Sequence, residues 1–307
     1  MEKIRVIGRI ALTAEQRQRL KRLGTEYIAN TDPDSRSDFD EILKRVDHAT
    51  VILNNLSSPL PRNVLEKCPC IKFIQTWSTG TDNIDLEYAK SMGIRVANVP
   101  DYSTEAIAEK TICAMLLAAN DLIAANRHAI EGNWDYHFFT GTELKGRTLL
   151  TIGSGKTATR LSELARAFGM NVLQFDSETP KESLNHLISR STFITVNCPL
   201  NDGTYHLLGK KQFDEMHGVI LINYARGGIV DEQAMLYALK TGKLKFAAID
   251  VFENEPPAKE NPLLNHPKVF VTPHCAWNTT ESMVKLTDRA IDNIEHYIEG
   301  RLIDFIV

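Results

Sequence analysis

Two groups of residues in this 307-residue chain have the types and spacing that chemistry needs. The first is Gly153, Ser154 and Gly155, followed by Lys156, Thr157 and Ala158, within the stretch GRTLLTIGSGKTATRLSELARAFGMNVLQFD at 146–176. Glycine at 153 permits a tight turn, glycine at 155 lets a ligand approach the backbone, and the small residue at 158 lets a helix pack closely on the preceding strand. The N–H groups and positive dipole end of a helix beginning near Lys156 suit phosphates. Asp176 lies about twenty residues beyond the glycines, where a carboxylate accepts hydrogen bonds from ribose hydroxyls. The pattern predicts a dinucleotide. A carboxylate at 176, with Glu178 close behind, repels a 2′-phosphate, so NAD is expected over NADP.

The second group is Arg226 in INYARGGIVDE, Glu255 in DVFENEP and His274 in VTPHCAW. Each follows a run that reads as a strand, at 219–223, 246–251 and 269–272, and doubly wound sheets place ligands at the carboxyl ends of their strands. An arginine offers a planar fork of donors for a carboxylate and polarises an adjacent carbonyl. A histidine exchanges a proton with a carbonyl oxygen near neutral pH, and a neighbouring glutamate fixes its tautomer and favours its charged form. The chemistry these residues fit is hydride transfer between a nicotinamide and a small 2-keto acid or 2-hydroxy acid.

Alternating elements must position them. Apolar periodicity predicts strands at 3–7, 27–29, 50–53, 72–75 and 94–97, separated by helices at 14–23, 38–45, 62–67 and 86–91. A long helix is expected from Ser103 or Thr104 to about residue 130, and then an aromatic loop with Trp134, Tyr136, Phe138 and Phe139, suited to a subunit interface or to packing on its own domain. Strands follow at 147–152, 171–175 and 193–197, and then at the three runs above. Helices are expected from 156 to Gly169, at 182–188, at 232–241 and at 280–299. The expected fold is α/β, with two doubly wound parallel-sheet domains: a Rossmann NAD-binding domain and a flavodoxin-like substrate domain, with a cleft between them. The expected boundaries are 1–100 for the first part of the substrate domain, 101–276 for the NAD-binding domain, and 277–307 for a segment returning to the substrate domain. Between Asp176 and the next helix there is no room for a crossover and a further strand, so that sheet edge should be trimmed.

Composition narrows the partners. A formal net charge of −4 gives no general attraction to nucleic acid or to acidic membrane surfaces. The N-terminal stretch MEKIRVIGRIALTAEQRQRL lacks a signal peptide's apolar core, and the apolar run at 112–119 is far short of the roughly 20 residues that span a bilayer. A soluble cytoplasmic protein is expected. Five scattered cysteines point to reduced thiols, and Cys68-Pro69-Cys70 has no second Cys or His pair nearby, so no metal is expected.

Seven blocks carry a family resemblance over nearly the whole chain: STGTDNID, YSTEAIAE, ELKGRTLLTIGSGKTA, CPLNDGTYHLL, INYARGGIVDE, AAIDVFENEP and VTPHCAW. In order and spacing they resemble the D-isomer-specific 2-hydroxyacid dehydrogenases. The resemblance implies that Arg226, Glu255 and His274 are catalytic, with His274 as proton donor and acceptor. It implies that the backbone N–H groups of Thr79 and Gly80 hold the substrate carboxylate, with Trp77 and Trp277 also at the substrate. Cofactor contacts are implied for Thr104, Gly153, Ser154, Gly155, Lys156, Thr157, Asp176, Cys198, Pro199, Thr204, Tyr224, Ala225 and Asp250, as is a homodimer formed through the NAD-binding domain. Pro-His-x-Ala-Trp, ending at Trp277, is similar to the glycerate dehydrogenase and hydroxypyruvate reductase branch. The chain departs from the family pattern at Ala158, at Lys156-Thr157 where Arg-Ile is usual, and at Asn197 where a histidine is common. The alternative is a dinucleotide-sensing, corepressor-like scaffold without turnover, against which the complete Arg226, Glu255 and His274 set argues. The substrate side chain would be read by residues 54–59 and those around Trp77.

Overall fold

The computed structural model describes residues 2–8, 10–29, 39–301 and 305–307. The chain divides into two units, one of Met1–Tyr102 with Thr279–Val307 and the other of Ser103–Asn278. The first unit begins with β1 (Glu2–Val6), α1 (Ala14–Leu23), β2 (Gly24–Ala29), α2 (Phe39–Val46), β3 (Val51–Asn54), α3 (Arg62–Leu65), β4 (Phe73–Thr76), α4 (Leu86–Ser91) and β5 (Arg95–Ala97). Asp38, expected to open the second helix, lies outside the described residues. The strands are parallel in the order β2-β1-β3-β4-β5, the flavodoxin-like order. β3 and β4 are buried along their whole length, because helices cover both faces of a parallel sheet. Thr13 and Gln16 form a reciprocal capping box that starts α1.

The second unit contains α5 (Thr104–Ala119), α6 (Leu122–Ile130), β6 (Thr148–Ile152), α7 (Lys156–Ala167), β7 (Asn171–Phe175), α8 (Leu184–Ser189), β8 (Phe193–Val196), α9 (Lys210–Asp214), β9 (Val219–Asn223), α10 (Glu232–Thr241), β10 (Leu244–Ile249) and β11 (Val269–Val271). Its parallel strands run β11-β10-β9-β8-β6-β7. β7 is an edge strand, in keeping with the short connection after Asp176. The order reverses between β6 and β8, so the glycine turn after β6 lies at the switch point. One core layer sets Ala108, Ile112 and Met115 of α5 and Leu161 of α7 against Leu149, Phe193, Ile220 and Phe246. The other sets α8, α9 and α10 against Leu150, Ile194, Leu221 and Ile249. Small residues on the inner face of α5 (Ala106, Ala108, Ala114, Ala118) let it lie close to the sheet.

The single long helix expected from 103 to about 130 is two helices. Asn120 turns its side-chain amide back onto the Leu116 carbonyl (2.9 Å), and Asp121 takes the left-handed conformation at φ +50°. The Thr142 N–H then bonds the Ala119 carbonyl, so the loop that follows closes the end of α5. Asn and Asp are the residues that enter this conformation at low cost, which is why the break falls there. The chain returns to the first unit in α11 (Thr280–Ile298). Arg19 of α1 binds Asp292 and Glu295 of α11, Phe73 stacks on Tyr297 at 4.3 Å, and the Ile306 N–H bonds the Val96 carbonyl.

Candidate active site

At the end of β6 the chain turns through Gly153, with φ +116°, and a Cβ there would stand 2.5 Å from the Asn197 carbonyl oxygen. No other residue fits this close passage of two backbones at the switch point. Gly155 is different: a Cβ on it would meet nothing within 4 Å. It is the N-cap of α7, and no side chain caps that helix end. Exposed space over a helix N-terminus is the cradle a pyrophosphate requires, so these residues fit a dinucleotide. Ala158 is buried against the strand, as close packing of α7 demands. Lys156 is exposed and Thr157 half-buried.

Asp176 follows β7. Its Oδ1 accepts from the Thr179 hydroxyl (2.8 Å) and from the N–H groups of Glu178 (3.1 Å) and Thr179 (3.2 Å). The Thr179 hydroxyl, helped by Ser154 and these N–H groups, holds the Asp176 carboxyl below the usual carboxylate range. Ser154 thus ties the glycine turn to the acid. Thr179 had no signal in the sequence beyond a hydroxyl three residues after an aspartate, the spacing of a local turn.

Arg226, Glu255 and His274 follow the carboxyl ends of β9, β10 and β11, which are neighbours in the sheet. His274 Nδ1 lies 2.6 Å from Glu255 Oε2, and Glu255 Oε1 accepts the Phe252 N–H at 3.1 Å. An ionised carboxylate can only accept, so Nδ1 carries the proton donated to Glu255 and Nε2 is the ring nitrogen left over from that bond. Partial burial pushes the Glu255 carboxyl up. The bond and charge of His274, the Phe252 N–H and the Arg226 guanidinium outweigh it and hold the carboxyl below its ordinary range. Arg226 is half-buried and donates through Nη1 to the Ala225 carbonyl at 2.9 Å. Its loop is shaped by buried Asn223, whose amide donates to the Arg226 carbonyl (2.9 Å) and accepts the Ala225 N–H (3.1 Å). Gly227 matters equally: a Cβ on it would lie 1.9 Å from the Phe252 carbonyl carbon, so only glycine lets the arginine loop pack on the strand-end that leads to Glu255. Neither Asn223 nor Gly227 was singled out from sequence, although a Gly-Gly pair directly after a charged residue marks such a close approach.

His274 itself has φ +49°, uncommon for a residue with a side chain. Its segment is held by Asp250, a buried carboxylate that accepts from the Thr272 hydroxyl (2.5 Å) and from the N–H groups of Cys275 (2.8 Å) and Ala276 (2.7 Å). The Asp250 carbonyl accepts the His274 N–H at 2.8 Å. Asp250, expected at the cofactor, is therefore engaged in shaping the histidine loop. Trp277, expected at the substrate, donates its indole N–H to the His274 carbonyl at 2.9 Å. Thr204 bonds the Pro199 carbonyl at 2.7 Å and staples the loop after β8. Cys198 is half-buried, and burial pushes its thiol up to about 11. Burial also pushes the Tyr224 phenol well up. Pro199 is exposed, Ala225 half-buried, and Thr104 stands half-buried at the first position of α5.

In the first unit the loop after β4 carries Thr79 and Gly80. The Thr79 hydroxyl donates to the Val99 carbonyl (2.9 Å), the Ser78 hydroxyl to the Gly80 carbonyl (2.6 Å), and the Asn98 amide to the Thr79 carbonyl (2.6 Å). Among the described residues no protein acceptor takes the N–H of Thr79 or Gly80. Trp77, expected at the substrate, is 8% exposed, and its indole N–H donates to Thr287 of α11 at 3.0 Å, so the side chain fastens the returning helix.

The sequence model described as "D-isomer specific 2-hydroxyacid dehydrogenase, NAD binding domain" matches residues 112–276, more than half of the chain. The chain belongs to this family. Members are NAD-dependent oxidoreductases, and the matched segment covers the glycine turn and the loops bearing Arg226, Glu255 and His274. The chain is 38% identical to the D-3-phosphoglycerate dehydrogenase of Methanocaldococcus jannaschii over 87% of its own length, but spans about half (53%) of that protein. It is 33% identical to the hydroxypyruvate reductase of Blautia hydrogenotrophica, covering 90% of each chain. Among solved structures, D-lactate dehydrogenase from Aquifex aeolicus, complexed with NAD and lactic acid, aligns with a TM-score of 0.84 at 29% identity, over 96% of this chain and 97% of that one. Two parallel-strand sheets with helices are the fold of these family structures. Among the described residues, no helix is long and apolar enough to cross a membrane.

Proposed function

We propose that this family member interconverts a small D-2-hydroxy acid and its 2-keto acid with NAD(H). The observation that carries the reading is His274 with Nδ1 fixed by Glu255 at 2.6 Å and Nε2 left for substrate. In the reducing direction His274 Nε2 gives its proton to the carbonyl oxygen, and the imidazole left behind is neutral and still held by Glu255. Glu255 keeps the ring oriented with Nδ1 bound and Nε2 facing outward from that bond. Arg226 holds the carboxylate and draws electron density from the adjacent carbonyl. The family resemblance implies the backbone N–H groups of Thr79 and Gly80 as further donors to a substrate carboxylate. Gly153, Ser154, Gly155 and the N-terminus of α7 hold the pyrophosphate, and Asp176 holds the adenosine ribose. When bound, the nicotinamide supplies or accepts the hydride at the substrate's C2. Proton and hydride together reduce the ketone to the alcohol, and oxidation reverses both.

Asp176 supports NADH over NADPH, because a carboxylate held ionised by Thr179 and Ser154 repels a 2′-phosphate. The relatives support hydroxypyruvate, glyoxylate and pyruvate as the substrates to try first. Exposed Trp134, Tyr136 and Phe138 in the second unit support a homodimer formed through that unit. The test is a panel of 2-keto acids assayed with NADH and with NADPH, for the wild type and His274→Gln. The expected result is turnover with NADH, a preference of at least about tenfold over NADPH, and a fall of about 10²-fold or more in the variant. No turnover on any 2-keto acid with either cofactor overturns the reading.

A further inference from the structure

His274 occupies a left-handed backbone conformation in a segment that is neither helix nor strand, so its side chain stays in place only if its neighbours hold it. Asp250 and Trp277 account for the N–H of His274, the N–H groups of Cys275 and Ala276, and the His274 carbonyl. The next carbonyls, of Cys275 and Asn278, have a different partner. Lys110, in the second turn of α5, donates its ammonium to the Cys275 carbonyl at 2.6 Å and to the Asn278 carbonyl at 3.0 Å. The Asn278 N–H also bonds the Cys275 carbonyl, at 3.0 Å, so Lys110 grips both ends of the turn that begins one residue after His274.

We propose that Lys110 is a positioning residue for His274: it anchors the 275–278 turn to α5 and thereby fixes the direction in which the imidazole presents Nε2. The inference rests on the reading of His274 as proton donor and adds to it a residue that touches neither substrate nor cofactor. An ammonium suits the task because its three donors reach two carbonyls at once, whereas an uncharged side chain of the same length reaches neither. The anchor is firm because α5 is packed on the sheet through Ala108, Ile112 and Met115 and on α7 through the paired bonds of Arg160 to Glu105, at 2.7 and 2.8 Å. The histidine is thus held from the strand side by Asp250 and from the helix side by Lys110.

Misplacement of a reacting group by about 1 Å lowers the rate by up to about 10²-fold while leaving binding largely intact. Lys110→Met keeps the stem and removes the donors. With NADH and the best 2-keto acid of the panel, kcat should fall by about 10-fold or more, with KM and NADH affinity within about threefold of wild type. The solvent deuterium isotope effect on kcat should rise as proton transfer becomes limiting. Lys110→Arg, which restores a charged donor, should recover most of the rate. If Lys110→Met folds poorly, Lys110→Gln and Lys110→Arg carry the same comparison. Wild-type kcat in Lys110→Met or Lys110→Gln overturns the proposal. So does a parallel loss of kcat and NADH affinity that arginine does not rescue, because that is a general structural role. A fully active His274→Gln instead sinks the proton-donor reading, so the two failures are distinguishable.

Discussion

Glu255 uses both carboxylate oxygens, one on the Phe252 N–H and one on His274 Nδ1. Its folded carboxyl lies below the ordinary carboxylate range, so the ionised form is the one the fold favours. A carboxyl depressed by folding stabilises the protein fully above its unfolded value, and the contribution fades as pH falls through the folded value. Glu255→Gln removes that contribution. Denaturant midpoints of wild type and variant should differ by a constant amount above about pH 5 and converge as pH drops below about 4.5. A gap that stays constant through the acid range would show that the bond to His274 does not set the carboxyl. The same variant should lose about 10-fold or more in kcat, since an amide is a weaker acceptor for the Nδ1 proton than a carboxylate and holds the ring less firmly. Strand-end logic points to Arg226, Glu255 and His274 because an arginine, a carboxylate and a histidine just past neighbouring parallel strands together suit one chemistry. Asp250 is harder to interpret. An aspartate in that position suggests a cofactor ligand, and only tertiary structure shows three donors converging on it.

Among the elements, the two loops after β9 and β10 meet through a glycine. Gly227→Ala would drive a methyl into the Phe252 carbonyl, 1.9 Å away, and must push the arginine loop off the strand-end that leads to Glu255. It should destabilise the protein by about 1–3 kcal/mol or more and cut turnover about 10²-fold. Gly155→Ala is the contrast, since its methyl meets nothing within 4 Å. Its melting temperature should match wild type while KM for NADH rises about 10-fold or more, through blocked approach of the pyrophosphate. Equal melting temperatures for wild type and Gly227→Ala would show that the loops are not locked together there. Several elements could be read directly, α1, α4, β7, β9 and α10 to both ends, because turn residues and periodicity agree at both limits. The break between α5 and α6 was hidden, because apolar residues continue at helical spacing through Asn120 and Asp121. What ends α5 is a side-chain bond, a left-handed residue and a capping N–H from Thr142, 22 residues after Asn120, and periodicity carries none of these. The short α9 escaped for the opposite reason: five residues are too few to show a period.

For the whole molecule, the exposed aromatic segment offers a direct test of assembly. Trp134, Tyr136 and Phe138 are 91%, 78% and 73% exposed, an arrangement that a lone chain in water does not favour. Under the proposed homodimer, the wild type should sediment as a dimer at micromolar concentration and a Trp134→Glu, Phe138→Glu double variant as a monomer. An unchanged sedimentation coefficient would place any dimer contact elsewhere.

The return of α11 to the first unit has a consequence for how this protein is made. On the ribosome, residues 103–278 emerge before 279–307, so the second unit has all its strands while the first still lacks α11, the stacking partner of Phe73 and the strand-like tail beside Val96. During that interval Phe73 lacks Tyr297 and Phe305, and Arg19 lacks Asp292 and Glu295. The nascent chain therefore carries a finished nucleotide-binding unit tethered to an unfinished one, and chains stalled through an added linker so that residue 278 has cleared the ribosome should resist protease in the later unit while the earlier one is cut.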